Sequence, residues 1–294
     1  MRDRSFYNSA SAKKLGWEPE WFGVEGFEDD LAEAVIEFQK EHDLTADGLV
    51  GPMTYRRLVA HRAFDNFEDE SYIVCNGKPV PVDWDKVVVW TESDGLTTKE
   101  GNYRKHRGPR DPSIFVVHWD VCLDSKTCEK ILKARGISVH FCIDNDGTIY
   151  QLLDTQHIGW HASSRTVNNV AVGVEISNAY YTKYQNYYER RGFGSRPVVE
   201  GVKVHGSTLR SHLGFYPVQI EALKALTKAL NEAHGIPLEC PVDTNGEMVA
   251  TVYPPAVSAD FAGVVHHYHL TRGKIDCAGV DLVEILDDIT ESKD

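Results

Sequence analysis

Three apolar, β-branched stretches of this 294-residue sequence each lead to side chains able to do chemistry. Ser113 to Asp120 (SIFVVHWD) delivers His118 beside Trp119, and residues 168–178 (NNVAVGVEISN) deliver Glu175. The run Phe261 to Val265 leads into HHYHLTRGKIDCAG, residues 266–279. A single histidine at a strand end is most simply a core residue bonded to a carbonyl. The second cluster overturns that reading for His118. His118, a histidine of the 266–269 cluster, and either Asp276 or Cys277 are three ligands of the kind catalytic zinc uses, with a fourth position left for water. Such an ion brings the pKa of bound water to about 7. Glu175 could accept the water's proton, a contribution of about 10² to 10⁴ in rate. Lys274 could stabilise the oxyanion of a tetrahedral intermediate. The implied chemistry is metal-assisted hydrolysis of an amide.

Period-2 alternation must position these groups. Along 113–120, Ile114, Val116 and His118 share one face while Phe115, Val117 and Trp119 take the other. Along 168–178, Val170, Val172, Val174 and Ile176 form a buried face, and the opposite face carries Ala171, Gly173 and Glu175. Small residues followed by a carboxylate suggest a cavity with an acid projecting into it, because a carboxylate in an apolar strand is costly unless paired or used. A short helix is expected over Thr127 to Arg135, closed by Gly136. Val139, Phe141 and Ile143, the Asp146-Gly147 turn and Thr148 to Leu153 read as a hairpin. HIGWHASS, residues 157–164, is rich in rings and suits a cleft wall. The tyrosine- and arginine-rich stretch 179–216 reads as a lid, a binding loop or an insertion. Helices are expected over Pro217 to Ala233 and Val280 to Ile289, with irregular structure over 236–262.

The remainder bounds the class. Hydrophobic residues at 42% and charged residues at 26% argue against disorder. A net charge of −13 argues against nucleic acid or an anionic membrane as partner, since those need clustered cations. No apolar run approaches the roughly 20 residues of a membrane span, and MRDRSFYNSASAKKLGW lacks the apolar core of a signal peptide. Synthesis in a cytoplasm, with no signal peptide, is therefore expected. Six cysteines (75, 122, 128, 142, 240 and 277) form no CxxC pair, so most are read as buried thiols. Residues 1–62 form a small helical module: Leu31, Ala34, Val35 and Phe38 have helical spacing, Asp29 and Asp30 suit the helix's positive end, and Pro52 starts another helix. Residues 63–110 read as a linker, with an acidic run (Asp65, Glu68, Asp69, Glu70) and a hairpin around Asn76-Gly77. The catalytic domain spans 111–294. The fold class expected is α/β, a mixed central β-sheet flanked by helices and preceded by a small three-helix domain.

Residues 34–58, AVIEFQKEHDLTADGLVGPMTYRRL, resemble the peptidoglycan-binding three-helix module of cell-wall hydrolases, departing from it at Asp43. That resemblance implies a wall-anchoring role. FVVHWD, SVHFCIDNDGTIYQL, GWHA, NVAVGVEISN and the terminal H-x-H-L-T-x-x-K-x-D pattern resemble, over roughly residues 111–290, the zinc-dependent N-acetylmuramoyl-L-alanine amidases of type 2, related to peptidoglycan-recognition proteins. The resemblance implies Zn2+ held by His118, by His267 with His266 as the alternative, and by Asp276 with Cys277 as the alternative. It implies Glu175 as base and Lys274 as a second catalytic group; Val139 stands where some relatives carry a catalytic tyrosine. Trp119, Trp160, His161 and Asn178 are the residues expected to touch substrate. The implied partner is bacterial peptidoglycan, cut between N-acetylmuramic acid and L-alanine by a monomeric, phage endolysin-like enzyme. The alternatives are a bacterial wall-turnover amidase, an antibacterial effector, or a non-catalytic peptidoglycan receptor.

Overall fold

The computed structural model describes residues 4–42, 44–55, 57–58 and 71–291. They fall into two compact units, Met1–Asp69 and Glu70–Asp294. Asp43 and the acidic run from Asp65 to Glu70 lie outside the described residues.

The first unit holds α1 (Arg4–Leu15), α2 (Asp29–Glu41) and helical residues at 52–55 and 57–58. The helical spacing of α2 buries Leu31, Val35 and Phe38, joined by Ala32, and Trp17 and Val50 close the same apolar cluster. Its organising polar group is Gln39, only 1% exposed. The Gln39 amide donates to Asp47 Oδ1 (3.0 Å), the Leu49 carbonyl (3.1 Å) and Thr54 Oγ1 (3.1 Å), and its oxygen accepts from Gly48 N (2.9 Å). Asn8 of α1 completes the grip, donating to Gly48 O and accepting from Val50 N. Gly48 needs its left-handed φ of +74° to enter this turn, and a Cβ there would meet Ala32 O at 3.1 Å.

In the second unit, β1 (Tyr72–Cys75) and β2 (Lys78–Pro81) form the expected hairpin, with Asn76 and Gly77 both at positive φ as a primed turn requires. The central sheet comprises β3 (Val87–Val89), β4 (Ile114–Trp119), β5 (Phe141–Ile143), β6 (Ile149–Gln151), β7 (Ala171–Ile176) and a last strand, Gly263–His266, in the order last-β4-β7-β5-β6-β3. Only the β5–β6 pair is antiparallel, so the sheet is mixed. The 63–110 stretch thus gives an edge strand to the sheet, and Gln151 of β6 ties the hairpin on through paired bonds with Val74, each 2.7 Å.

Between the strands lie α3 (Ser125–Arg135), capped by Asp124 and closed by Gly136 at φ +70°, and α4 (Arg165–Val170). The strand expected over 168–178 is therefore shorter: Ser164 caps a helical turn that runs to Val170 before β7 begins. One face of the sheet packs Phe115, Val117, Val172, Val174 and Ile176 with the two long helices that follow. The other face packs Ile114, Val116, Ala171 and Val265, and here the small residues of β7 leave room.

The 179–216 stretch is a built subdomain. It contains α5 (Gln185–Arg190) and β8 (Val198–Val199), β9 (Lys203–Val204), β10 (Ser207–Thr208) and β11 (His212–Leu213), paired as two small ladders. Arg196, 2% exposed, anchors it between the rings of Tyr188 and Tyr216, 4.3 and 4.4 Å from their centroids. Its guanidinium donates to Gly214 O (2.9 Å), Ser177 O (2.8 Å), Gln219 Oε1 (3.2 Å) and Asn145 Oδ1. The chain continues through α6 (Pro217–His234), α7 (Pro254–Ser258), β12 (the strand Gly263–His266) and α8 (Leu282–Glu291). The 236–262 stretch, expected to be irregular, thus includes α7, started by Pro254 and too short to show a helical period.

Two expectations follow. Gln39→Ala strips partners from the buried Gly48 N–H and Thr54 hydroxyl, at a cost on the order of 1–3 kcal/mol; amide hydrogen exchange at Gly48 and Val50 should accelerate while β4 and β7 stay protected, and unchanged exchange would contradict the assignment. Acid should destabilise the larger unit. Burial pushes His140 down to about 3 and His234 down to about 4. His140 has no free lone pair, since Nδ1 accepts from Gly173 N and Nε2 donates to His157 O. The unfolded chain takes up protons below about pH 6.5 while the folded one refuses them, so stability is complete above that pH and is lost as pH falls toward 4, by about 1.4 kcal/mol per pH unit for a fully buried histidine. Melting temperatures between pH 7 and 4.5 should fall less steeply for His140→Gln than for wild type; equal slopes would exclude the contribution.

Candidate metal centre and cleft

Strand register brings the first two groups together. In the parallel β4–β7 pair His118 stands opposite Glu175, as Val116 stands opposite Gly173, so both functional side chains share a face at the carboxyl ends of their strands. Clefts of open α/β sheets lie at such ends. On β12, His266 is registered with Val117 and so points to the opposite face, where its Nε2 bonds the Val280 carbonyl at 3.1 Å. The strand stops there, and the single turn His267–His269 swings His267 back to the His118 side.

His118 Nδ1, His267 Nδ1 and Asp276 Oδ2 converge. The separations are 2.9 Å between the two nitrogens, 3.2 Å from His118 to Asp276 and 3.0 Å from His267 to Asp276. All three residues are buried. Donors bound about 2.0–2.1 Å from a tetrahedral ion stand about 3.3 Å apart, close to this spacing. The outer ring nitrogens are engaged elsewhere, His118 Nε2 with His161 Nδ1 (3.1 Å) and His267 Nε2 with Ser163 Oγ (3.4 Å). Protons placed on those outer nitrogens leave a lone pair on each Nδ1, aimed with the carboxylate at one point. This donor set fits a divalent cation such as Zn2+. Electrostatics agree: burial and the neighbouring His267 push His118 down to about 4. Burial would raise Asp276, but the two histidines beside it outweigh that and hold its carboxyl well below the usual carboxylate range.

A cleft of about 300 Å³ opens beside these donors, lined by Glu175, Lys274, Trp160, His161, Trp119 and Arg135 among others. Glu175 Oε2 is buried with no hydrogen-bond partner among the described residues. Burial, then the charges of Asp276 and Asp120, raise its pKa well above the ordinary carboxylate value, while Lys274 opposes the rise. Such a carboxyl is poised to exchange a proton rather than to hold a fixed ion pair.

Not every residue singled out from the sequence reaches this cleft as expected. Asn178 is 1% exposed and its polar groups are used internally: its amide donates to Leu213 O (2.7 Å), its oxygen accepts from Tyr180 N and its N–H binds Asp120. These bonds give it a structural role at the end of β7, and it lines a neighbouring cavity rather than this cleft. Cys277 faces the apolar cluster on the far side of the sheet, and burial pushes its thiol up. Trp119 lines the cleft but is 7% exposed and packs against Tyr180 and His212, whereas Trp160 is 38% exposed at the rim. Ser163 and Arg135 were not singled out: Ser163 sits at φ +57°, a conformation serine rarely adopts, and Arg135 stands in the sequence only as the last residue of an expected helix.

The model of the N-acetylmuramoyl-L-alanine amidase family matches residues 108–276, and that of a peptidoglycan binding domain matches residues 25–58. Similar solved structures include the N-acetylmuramoyl-L-alanine amidase LysC from Clostridium intestinale (17% identity, TM-score 0.40, covering 70% of this chain and 99% of that one). Others are the endolysin of the Thermus scotoductus bacteriophage Ph2119 (18%, 0.39, 69% and 97%) and AmpDh3 from Pseudomonas aeruginosa in complex with an anhydromuramic pentapeptide (18%, 0.39, 66% and 66%). No curated protein matches the chain. The amidase match spans more than half of the sequence and runs from ahead of His118 to Asp276. The chain therefore belongs to the N-acetylmuramoyl-L-alanine amidase family, as a type 2 amidase that also carries a peptidoglycan-binding module.

Proposed function

We propose that this amidase works as an endolysin-type enzyme, cutting the amide between the lactyl group of N-acetylmuramic acid and the first L-alanine of the stem peptide with a zinc ion held by His118, His267 and Asp276. The observation that carries the reading is the convergence of those three donors within 3.2 Å of one another beside Glu175, whose Oε2 has no hydrogen-bond partner among the described residues. A bound zinc ion would supply Lewis acidity, polarising the scissile carbonyl and bringing the pKa of water to about 7. Glu175 takes the proton from the attacking water as the new C–O bond forms, and returns it to the alanine nitrogen as the C–N bond breaks. Lys274 faces the same cleft and stabilises the negative charge that develops on the carbonyl oxygen. Trp160 offers the sugar or peptide an exposed ring at the rim.

In this reading residues 1–62 hold the enzyme on the wall, 63–110 join it to the remainder, and 111–294 carry the chemistry, acting as a monomer. The pairing of a wall-binding module with an amidase in one chain suits lysis from within an infected host, where synthesis is cytoplasmic. No helix among the described residues is long and apolar enough to cross a membrane.

Digestion of purified peptidoglycan tests this. Wild type should release new N-terminal alanine, lose activity on chelation and regain it with zinc. Glu175→Gln should keep its zinc while turnover falls by about 10² to 10⁴. New sugar reducing ends, or turnover indifferent to chelator, would overturn the assignment, and wall binding without cleavage would make the protein a receptor.

A further inference from the structure

We infer that His161 is a positioning residue for the metal centre: its ring holds His118 in the tautomer and orientation that leave Nδ1 free for the ion. The inference rests on the zinc reading above and assigns His161 a role other than the substrate contact expected of the cleft wall. His161 Nδ1 lies 3.1 Å from His118 Nε2, and the rings meet edge to face at 5.2 Å. If His118 is to present a lone pair at Nδ1, its proton must sit on Nε2, and an acceptor there fixes that choice. His161 Nδ1 is that acceptor. Its other nitrogen, Nε2, is buried without a partner, so the bond to His118 is the only hydrogen bond the ring makes among the described residues.

The backbone around His161 is shaped to admit the ring. A Cβ on Gly173, between Val116 and His140 in the sheet, would come within 2.6 Å of His161 Nδ1 and Cε1. A Cβ on Gly159 would meet the His140 ring at 3.0 Å and the His161 ring at 3.2 Å. Glycine in a strand interior weakens the strand, and a close approach of this kind is the usual reason for it. The ring's own loop is pinned by Asn168 Oδ1, which accepts from His161 N (3.2 Å) and Ala162 N (2.9 Å). Two residues on, Ser163 reaches His267 Nε2 at 3.4 Å. One loop therefore supplies the outer partner of both histidine donors, the closer of them through His161.

Zinc affinity of the full-length protein, measured by competition with a chromogenic chelator, tests the assignment without recourse to turnover. His161→Ala should bind zinc about 10- to 100-fold more weakly than wild type. His161→Asn places an amide oxygen near the position of Nδ1 and should stay close to wild type, whereas His161→Gln carries its oxygen farther out and should fall with alanine. The Asn/Gln pair keeps the test decisive if the alanine variant does not fold. Wild-type affinity in both His161→Ala and His161→Gln, or equal losses in Asn and Gln, would overturn the positioning role. Absence of tight zinc binding in wild type would instead remove the metal reading on which it rests.

Discussion

Three electron-rich atoms held about 3 Å apart in a buried place repel one another unless a positive charge lies among them. His118 Nδ1, His267 Nδ1 and Asp276 Oδ2 are in that situation, and the surrounding structure can be understood as what keeps them there. Protons alone serve the triangle poorly. Each histidine that donates outward from Nε2 has nothing to give inward, and a proton shared between two of the atoms leaves the third edge uncompensated. A divalent cation answers all three at once. The cost of assembling the donors in its absence must be carried by the rest of the fold.

That burden falls on the sheet. Parallel pairing of β4 with β7 sets His118 beside Glu175 and fixes both on the face opposite the main apolar layer. Phe115, Val117, Val172, Val174 and Ile176 are wholly buried on that other face, so a slip of one residue would expose an apolar row and bury the functional one. Beyond the strand ends, Arg196 ties the 179–216 subdomain to Ser177 O, just past β7, by aromatic and carbonyl contacts. That subdomain is therefore fastened just past the end of the strand that carries Glu175.

Much of this was legible in the sequence because period-2 alternation is a local signal. It placed His118 at a strand end and put Gly173 and Glu175 on the face away from Val172 and Val174. The choice between His266 and His267 was not legible, because adjacent residues in a strand face opposite ways and only the point at which β12 ends decides which one turns inward. Asp276 and Cys277 pose the same difficulty in a turn, where burial against the apolar layer takes Cys277. His161 lies 43 residues from His118, and no spacing rule joins a loop histidine to a strand-end one. Asn178 read as a polar group beside the cleft, but buried amides are first claimed by backbone. Strand β3 and helix α7 were missed for want of length, since three and five residues show no period.

Zinc content of the purified protein and of single-site variants bears most directly on the donor triangle. If the triangle holds the ion, wild type, His266→Gln and Cys277→Ser retain bound zinc through gel filtration, while His118→Ala, His267→Ala and Asp276→Ala lose it. Zinc retained by Asp276→Ala but lost by Cys277→Ser, or absent from folded wild type, would contradict it.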